Sequence, residues 1–524
     1  MNIKHWTILL ASAMLASCNF LEEYSQDQSY VNSWTDLDEL LIGDCYMSVN
    51  ATQEFNYSSN YGMFLHLLAD EMDEYNNGSV IMFDAKYYMF GYWTWQPRVG
   101  TQEDYSADYY QENKTWTKCY KCINVANNVL ESAEKLSLAT ETEKQGYHKV
   151  KGEAHFLRAF YYFWLVNLYG QPYSPTTAKT DLGVPLKVNS EVYDVKYQRN
   201  TVEEVYAQVT ADLQAAEAHL KQYTAKRKSI YRADITSLYL LASRVYLYMQ
   251  NWDKAVEYAD KVLAVKPDLQ NMNSDNSYIE KKNCIETIFS MGGDDLPVMM
   301  GMGSCGMGVN NSMYAAYSLN DMRKELWFWK YTSFVGLTKH PDFLYRSSSP
   351  PEKTDANYYN YAYFYYATGL SEVSSLFWLR TSEAYLNKAE ALAYKKNDSE
   401  ALSTLREFMV NRYKPGSVEL NREYAGEELI KAVRDERMRE FICEGHRWFD
   451  LRRYRVNEVL PSKIALQHVY TYYVERGQPI IDKRHRFTLT EDDASWTLPI
   501  PHEVLQFNTG MPDNGNKPRS YEEL

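Results

Sequence analysis

The sequence lacks three features that would each define a class of protein. It has no excess of positive charge, because 55 Lys and Arg residues stand against 69 Asp and Glu residues, a net charge of −14. That balance argues against a nucleic-acid partner. After the N-terminal segment no uncharged apolar run reaches the about 18 residues of a transmembrane helix. No second cysteine pair completes a zinc site with Cys119 and Cys122, so we expect buried thiols, no bound metal and no cofactor.

Aromatic side chains, by contrast, are abundant. The chain of 524 residues has 47 Tyr, 19 Phe and 12 Trp. These amphipathic rings are in far greater supply than a core needs. Many of them are therefore expected at the surface or in a binding site.

The N-terminus predicts an exported lipoprotein. A short charged start precedes an apolar run, Trp6 to Ala16, that is too short to span a bilayer. The Leu-Ala-Ser-Cys sequence that ends at Cys18 resembles a bacterial lipobox, in which the cysteine is lipidated. We expect residues 1–17 to be a signal peptide, Cys18 the lipid anchor, and residues 18–49 a tether and N-terminal segment. A plain secretory signal is the alternative.

Two capping boxes predict where long helices begin. Thr140 is followed three residues later by Glu143, and Thr201 by Glu204. In this pattern the hydroxyl and the carboxylate satisfy each other's backbone N–H groups. Each box therefore marks the N-terminus of a helix.

Helical hairpins predict the fold class, which is mainly α. Residues 235–265 and 382–412 each contain two helical stretches in which alanines alternate with larger apolar residues, as in tetratricopeptide units. Repeated hairpins imply a tetratricopeptide-like helical repeat, an α-α superhelix, with residues 113–267 and 376–460 as its body. Such a stack is a scaffold without chemistry of its own.

Loop-rich insertions interrupt this body at residues 50–112 and 268–375, and residues 461–524 are expected to be an irregular C-terminal segment. Loops carry binding residues more often than the scaffold does. A glycan site needs exposed aromatic rings that stack on the apolar faces of sugars. We assign that role to rings in the two insertions: Tyr92, Trp93, Trp95, Trp327 and Trp329.

The spacing of these tryptophans supports a stacking platform. Trp93 and Trp95 are two residues apart, so both project to one face if the segment is extended, and Trp327 and Trp329 repeat the spacing. The alternative is that these rings pack the insertions onto the body. The nearby glycines of residues 301–306 match a dinucleotide fingerprint as a string but lack its strand and helix, which indicates an ordinary loop.

A charged run near residue 440 is the densest motif in the chain. Glu436, Glu440 and Glu444 recur every four residues, so they stack on one face of a helix expected to reach Glu444. The arginines expected to pair with them are Arg437, Arg439 and Arg447. Two of these carboxylates resemble a glycosidase pair in spacing, but dense arginines keep carboxylates ionised and unfit as general acids. The motif therefore indicates a structural ion-pair network.

The same run resembles the late helix-turn signature of the SusD/RagB family of surface glycan-binding lipoproteins. The residues that carry the resemblance are Glu436, Arg437, Glu440, Phe441, Glu444, Gly445, Arg447, Trp448, Asp450, Leu451 and Arg453. Cys443 departs from the pattern, because the family more often has an aromatic or larger apolar residue there. Further segments across nearly the whole chain resemble the family in its order.

The resemblance implies a tetratricopeptide-like body tethered outside a Gram-negative outer membrane. Family members cap a SusC-like TonB-dependent transporter and capture nutrient, commonly an oligosaccharide, without catalysis. Two other classes stay open: a helical-barrel glycoside hydrolase and a tetratricopeptide adaptor that binds a peptide. The acidic run at residues 70–74 offers oxygen ligands for calcium, but an acidic helix end is commoner and no metal is assigned.

Overall fold

The computed structural model describes most of the chain. It comprises residues 31, 33–46, 64–74, 90–102, 109–191, 193–225, 229–274, 279–292, 307–330, 335–337, 339, 373–374, 376–475 and 480–524, without the side chains of residues 109–111, 329 and 330. The fold within these residues is mainly helical, as the sequence predicts. None of their helices has the length and apolar character needed to cross a membrane.

Eight helices form the body. They are α4 (Tyr109–Ala133), α5 (Glu141–Tyr169), α6 (Val202–Gln222), α7 (Ile235–Tyr248), α8 (Trp252–Leu263), α11 (Thr381–Tyr394), α12 (Asp398–Met409) and α14 (Gly426–Glu440). Helix α5 packs between α4 and α6, α7 packs on α8, and α8 packs on α11, which also contacts α12 and α14. Neighbours in this series are therefore neighbours in space, and the tetratricopeptide-like superhelix is confirmed.

Both predicted capping boxes are present. The Thr140 hydroxyl accepts from the backbone N–H of Glu143 at 3.2 Å, and the Glu143 carboxylate accepts from the backbone N–H of Thr140 at 2.8 Å. Thr201 and Glu204 form the same pair of hydrogen bonds. The helices α5 and α6 thus have starts fixed by local chemistry.

Small residues let the hairpin helices approach closely. Ala242 on α7 and Ala255 and Ala259 on α8 are fully buried. The Ser243 hydroxyl donates to the carbonyl of Ala255 at 2.9 Å across the same interface. Such contact needs side chains no larger than a methyl or hydroxymethyl group, which explains the alanines in the predicted repeat.

Shorter elements surround the body. The helices are α1 (Trp34–Leu40), α2 (Leu65–Leu68), α3 (Phe90–Trp93), α9 (Asn311–Ala315), α10 (Met322–Leu326), α13 (Val418–Asn421), α15 (Arg447–Arg455) and α16 (His502–Phe507). The strands are β1 (Met72–Glu74), β2 (Thr287–Ser290), β3 (Met307–Val309), β4 (Phe328–Lys330), β5 (Val335–Leu337), β6 (Trp378–Arg380), β7 (Leu466–Tyr473), β8 (Ile481–Leu489) and β9 (Tyr521–Glu523). Strands β1 and β3 pair antiparallel, with Met72 opposite Val309, so the two predicted insertions meet in one small sheet.

The C-terminal segment is more regular than predicted. Strands β7, β8 and β9 form a three-stranded antiparallel sheet within residues 461–524, so the expectation of an irregular segment is wrong there. Leu466, His468 and Tyr470 point inward in alternation along β7. The sequence of β7 does not show a regular alternation of apolar and polar residues, because its buried His468 is classed as a polar residue.

Candidate functional site

The charged run folds into a shorter helix than predicted. Helix α14 ends at Glu440, four residues before the expected end at Glu444. Cys443 and Gly445 have φ angles of 53° and 74°, in the left-handed region that an α-helix does not use. A side chain at Gly445 would place its Cβ 2.9 Å from Leu376 Cδ2, so this turn also needs glycine for space.

Glu440 lies at the centre of the ion-pair network. Arg323 and Arg412 donate to its carboxylate at 2.9 Å each, and Arg380 forms a third ion pair with it. These four side chains are essentially inaccessible to water. A carboxylate that accepts several charge-assisted N–H bonds from three guanidinium groups is held firmly in its ionised form.

The partners of the other two glutamates only partly match the prediction. Glu436 pairs with Arg439, as expected, and also with Arg323, while Glu444 pairs with Arg380 and Lys339. The remaining predicted arginines pair with other carboxylates: Arg437 with Glu390 and Asp450, and Arg447 with Asp70. The network is real, but Arg323, Arg380 and Lys339 come from distant parts of the chain.

Electrostatics argue against catalysis by these carboxylates. Burial by itself raises the pKa of Glu440, but Arg412 and Arg380 outweigh burial and hold that pKa well below its ordinary value. Burial likewise raises the pKa of Glu436, but Arg323 and Arg439 outweigh burial and lower that pKa below its ordinary value. A general acid needs a raised pKa and access to substrate. Neither carboxylate has a raised pKa or access to substrate, which supports the interpretation of the motif as a structural ion-pair network.

The segment that holds Trp93 and Trp95 is not extended. Trp93 ends helix α3, and Trp95 adopts a φ of 51°. Both rings are buried and stack on the imidazole of His468, with centroid distances of 3.7 and 4.3 Å. Their indole N–H groups donate to the carbonyls of Val469 and Leu68. This geometry matches the alternative in which the rings pack the insertion onto the body. It does not match an exposed platform for sugar stacking.

The other predicted stacking rings show the same pattern. Tyr92 is buried and stacks on Phe64 at 4.4 Å, and Trp327 is fully buried with the Lys339 ammonium 4.5 Å from its ring centroid. Trp329 lies in strand β4, but its side chain lies outside the described part, as does the whole of Cys18. The assignment of glycan contacts to these residues stays a prediction, which now requires the buried rings to become exposed.

Three carboxylates of the acidic run at residues 70–74 are occupied by internal contacts. Asp70 pairs with Arg447, Asp73 accepts from the side chain of Asn310 at 3.0 Å, and Glu74 accepts from the backbone of Thr471 at 2.7 Å. Separate partners hold these carboxylates, and no oxygen cage of the kind calcium needs is formed by them.

The structure reveals an aromatic pocket that the sequence did not single out. Its cavity has a volume of about 160 Å³ and an almost wholly apolar wall. The lining residues are Trp116, Tyr120, Pro185, Lys187, Tyr197, Val504, Asn508 and Met511. Exposed apolar side chains, Val188 and Phe507, lie next in sequence to the lining residues Lys187 and Asn508. The pocket thus lies at the edge of α4, next to two short segments that carry exposed apolar residues.

Three separate segments build this pocket, which explains why the sequence hides it. Helix α4 supplies Trp116 and Tyr120, whose rings lie 5.0 Å apart. The Tyr120 hydroxyl donates to the carbonyl of Pro185, and the backbone N–H of Tyr197 donates to the side chain of Asn508 at 2.8 Å. These bonds join α4, the connection before α6 and the C-terminal region around α16.

The fold and the buried network define a class of protein, a tetratricopeptide-like scaffold with insertions that contain short helices and strands. A family model described as "Starch-binding associating with outer membrane", of the SusD-like type, matches residues 19–247. The model of the SusD family matches residues 347–516. The chain belongs to the SusD/RagB family.

Individual relatives agree with this assignment. SusD-like protein P2 of Formosa agariphila is 27% identical over 443 residues, which cover 76% of this chain and 79% of that protein. A SusD superfamily protein from Bacteroides thetaiotaomicron superposes with a TM-score of 0.65 at 20% identity, over 92% of this chain and 100% of that one. Surface glycan-binding protein A from Bacteroides uniformis gives a TM-score of 0.60 at 17% identity, over 92% and 99%. The two structures show a shared fold.

Proposed function

We propose that the protein captures oligosaccharides outside a Gram-negative outer membrane and passes them to a SusC-like TonB-dependent transporter. The observation that carries this proposal is family membership, since one matching model is described as starch-binding and associated with the outer membrane. A structural neighbour bears the name of a surface glycan-binding protein. Lipidation of Cys18 would tether the chain to the membrane.

We propose further that the protein binds glycans without hydrolysing them. The carboxylates that the sequence offered as a catalytic pair are buried among arginines, and the pKa of Glu440 is held low. A buried, ionised carboxylate cannot protonate a glycosidic oxygen. This supports a scaffold role for the network and a separate binding surface.

The aromatic pocket is our candidate for that surface. The half-buried ring of Tyr197 and the ring of Tyr120 offer apolar faces for sugar stacking, and Lys187 stands at the wall as a polar group. A volume of about 160 Å³ lies below the 300 Å³ or more of a typical drug-sized site. The pocket therefore suits one sugar ring, with the rest of a chain lying along the rim. The alternative surface is the predicted set around Trp93 and Trp327.

The test is a binding screen of the purified chain against oligosaccharides and peptides. We expect binding to a subset of glycans and no release of reducing sugar on prolonged incubation. Binding to peptides alone would favour the tetratricopeptide adaptor, and release of reducing ends would favour the glycoside hydrolase. Either result would overturn the proposal.

A further inference from the structure

A second group of chemically active side chains lies apart from the aromatic pocket. His66 of α2, Glu71 before β1 and Cys443 in the turn after α14 each offer one ligand atom, and these atoms lie within 4.8 Å of one another. All three residues are buried. His66 and Glu71 are five residues apart, whereas Cys443 lies 372 residues after Glu71, so tertiary folding brings the sulfur atom to a local pair of nitrogen and oxygen atoms.

The contact between His66 and Glu71 is poor as a hydrogen bond. His66 Nδ1 lies 3.4 Å from Glu71 Oε2, whereas an N–H···O bond is usually about 2.9 to 3.0 Å long. In a tetrahedral zinc site with bonds of about 2.05 Å to nitrogen and oxygen, two such ligand atoms stand about 3.3 Å apart. The observed separation therefore matches the edge of a zinc coordination sphere better than it matches a hydrogen bond.

The imidazole of His66 is also poorly satisfied without an ion. Among the residues that the structure describes, His66 Nε2 has no hydrogen-bond partner. Within the same residues, the ion-pair partner of Glu71 is His66. A buried imidazole with an unmet nitrogen is costly. A divalent cation between His66 Nδ1 and Glu71 Oε2 would replace their long contact with two coordination bonds.

The surrounding bonds hold the carboxylate in place. The backbone N–H of Cys443 donates to Glu71 Oε1 at 2.7 Å, which leaves Oε2 directed towards His66. An orienting hydrogen bond on the second oxygen is the usual support of a carboxylate ligand. The same bond fixes the turn that carries Cys443, so the thiol and the carboxylate are positioned together.

We propose that His66, Glu71 and Cys443 bind one zinc ion. One nitrogen, one oxygen and one sulfur ligand suit this borderline-soft cation and disfavour magnesium and calcium, which prefer oxygen alone. On binding, the Cys443 thiol loses its proton to solvent as the zinc–sulfur bond forms, and a water molecule completes the tetrahedron. The ion enters during folding or through local opening, since the site is buried.

The test is titration of the chelator-stripped full chain with Co²⁺, which reports a thiolate ligand by a charge-transfer absorption band, and with Zn²⁺ in competition. We expect one equivalent to bind, a raised melting temperature with Zn²⁺, and no comparable effect of Mg²⁺ or Ca²⁺. C443S should abolish the charge-transfer band. H66Q should weaken Zn²⁺ binding at least about 100-fold, because loss of even an outer-shell partner costs about 10- to 100-fold.

Matched controls distinguish this site from other zinc-binding groups. Cys284 and Cys443 are each 4% exposed, so C284S controls for the loss of a buried thiol and should keep the band. The Nδ1 atoms of His148 and His219 lie 3.0 Å apart, and H219Q removes that competing pair. Absence of a one-to-one complex in the wild type, a charge-transfer band that persists in C443S, or an unchanged Zn²⁺ affinity in H66Q would overturn the proposal. If C443S does not fold, the wild type and H66Q still decide the question.

Discussion

Replacement of Glu440 by glutamine isolates the charge at the centre of the buried network. The substitution keeps the size of the side chain and removes the charge that faces Arg323, Arg380 and Arg412. An amide also presents N–H groups to guanidinium donors, so at least one arginine loses its acceptor. Leaving a buried ion pair without one partner costs about 3 to 5 kcal/mol, and we expect E440Q to lose that much free energy of unfolding.

The assay is urea denaturation at neutral pH, with the midpoint and slope fitted for each variant. The matched control is E427Q on the first turn of the same helix, where the Glu427 side chain is 72% exposed and lies 3.6 Å from Lys431. Exposed pairs of this kind contribute about 0 to 1 kcal/mol, so E427Q should be nearly neutral. A loss below about 1 kcal/mol in E440Q would refute the reasoning, because the three arginines would then be satisfied without this charge.

Three other substitutions test the burial of Trp93, the titration of His468 and the lipid anchor at Cys18. W93A should destabilise the fold by about 3 to 5 kcal/mol, because a buried indole and its hydrogen bond are lost; an unchanged melting temperature would mean that the ring is exposed in solution. Burial lowers the pKa of His468 from 6.5 to about 4, although contacts of the ring nitrogens with the carbonyls of Trp93 and Ala69 oppose the shift. Between these pH values the unfolded chain therefore binds a proton that the folded chain does not. Stability should therefore fall by roughly 3 kcal/mol as the pH drops from above 6.5 to 4, and H468F should flatten that dependence in pH-stepped denaturation. C18A should leave the chain out of the membrane fraction of a detergent-free lysate, and a membrane-bound variant would contradict a lipid anchor at Cys18.

Local chemistry explains which parts of the fold could be predicted. The boxes at Thr140 and Thr201 involve partners three residues away, and the alanines of the hairpins repeat at helical spacing. Each signal lies within a few turns of the chain, where sequence distance and spatial distance agree. The helical body was therefore predictable in class and in the position of its main hairpins.

Long-range contacts explain what could not be predicted. Arg323 and Arg380 lie 117 and 60 residues from Glu440, and periodicity says nothing about partners at that distance. The spacing of Trp93 and Trp95 predicts a common face only if the segment is extended, and the local backbone is helical at Trp93. The aromatic pocket and the His66, Glu71 and Cys443 group likewise exist only after distant segments meet.

Titration calorimetry of wild type, Y197A and Y193A with an oligosaccharide found by the binding screen tests the central claim most directly. Tyr197 lines the pocket, whereas Tyr193 lies four residues earlier as an exposed tyrosine outside its lining. Loss of a stacking ring should weaken binding by about 1 to 3 kcal/mol, or roughly 5- to 150-fold, in Y197A. Y193A should bind as the wild type does. Equal affinities in all three folded proteins would contradict a glycan site at this pocket, and no heat with any glycan would contradict glycan capture itself.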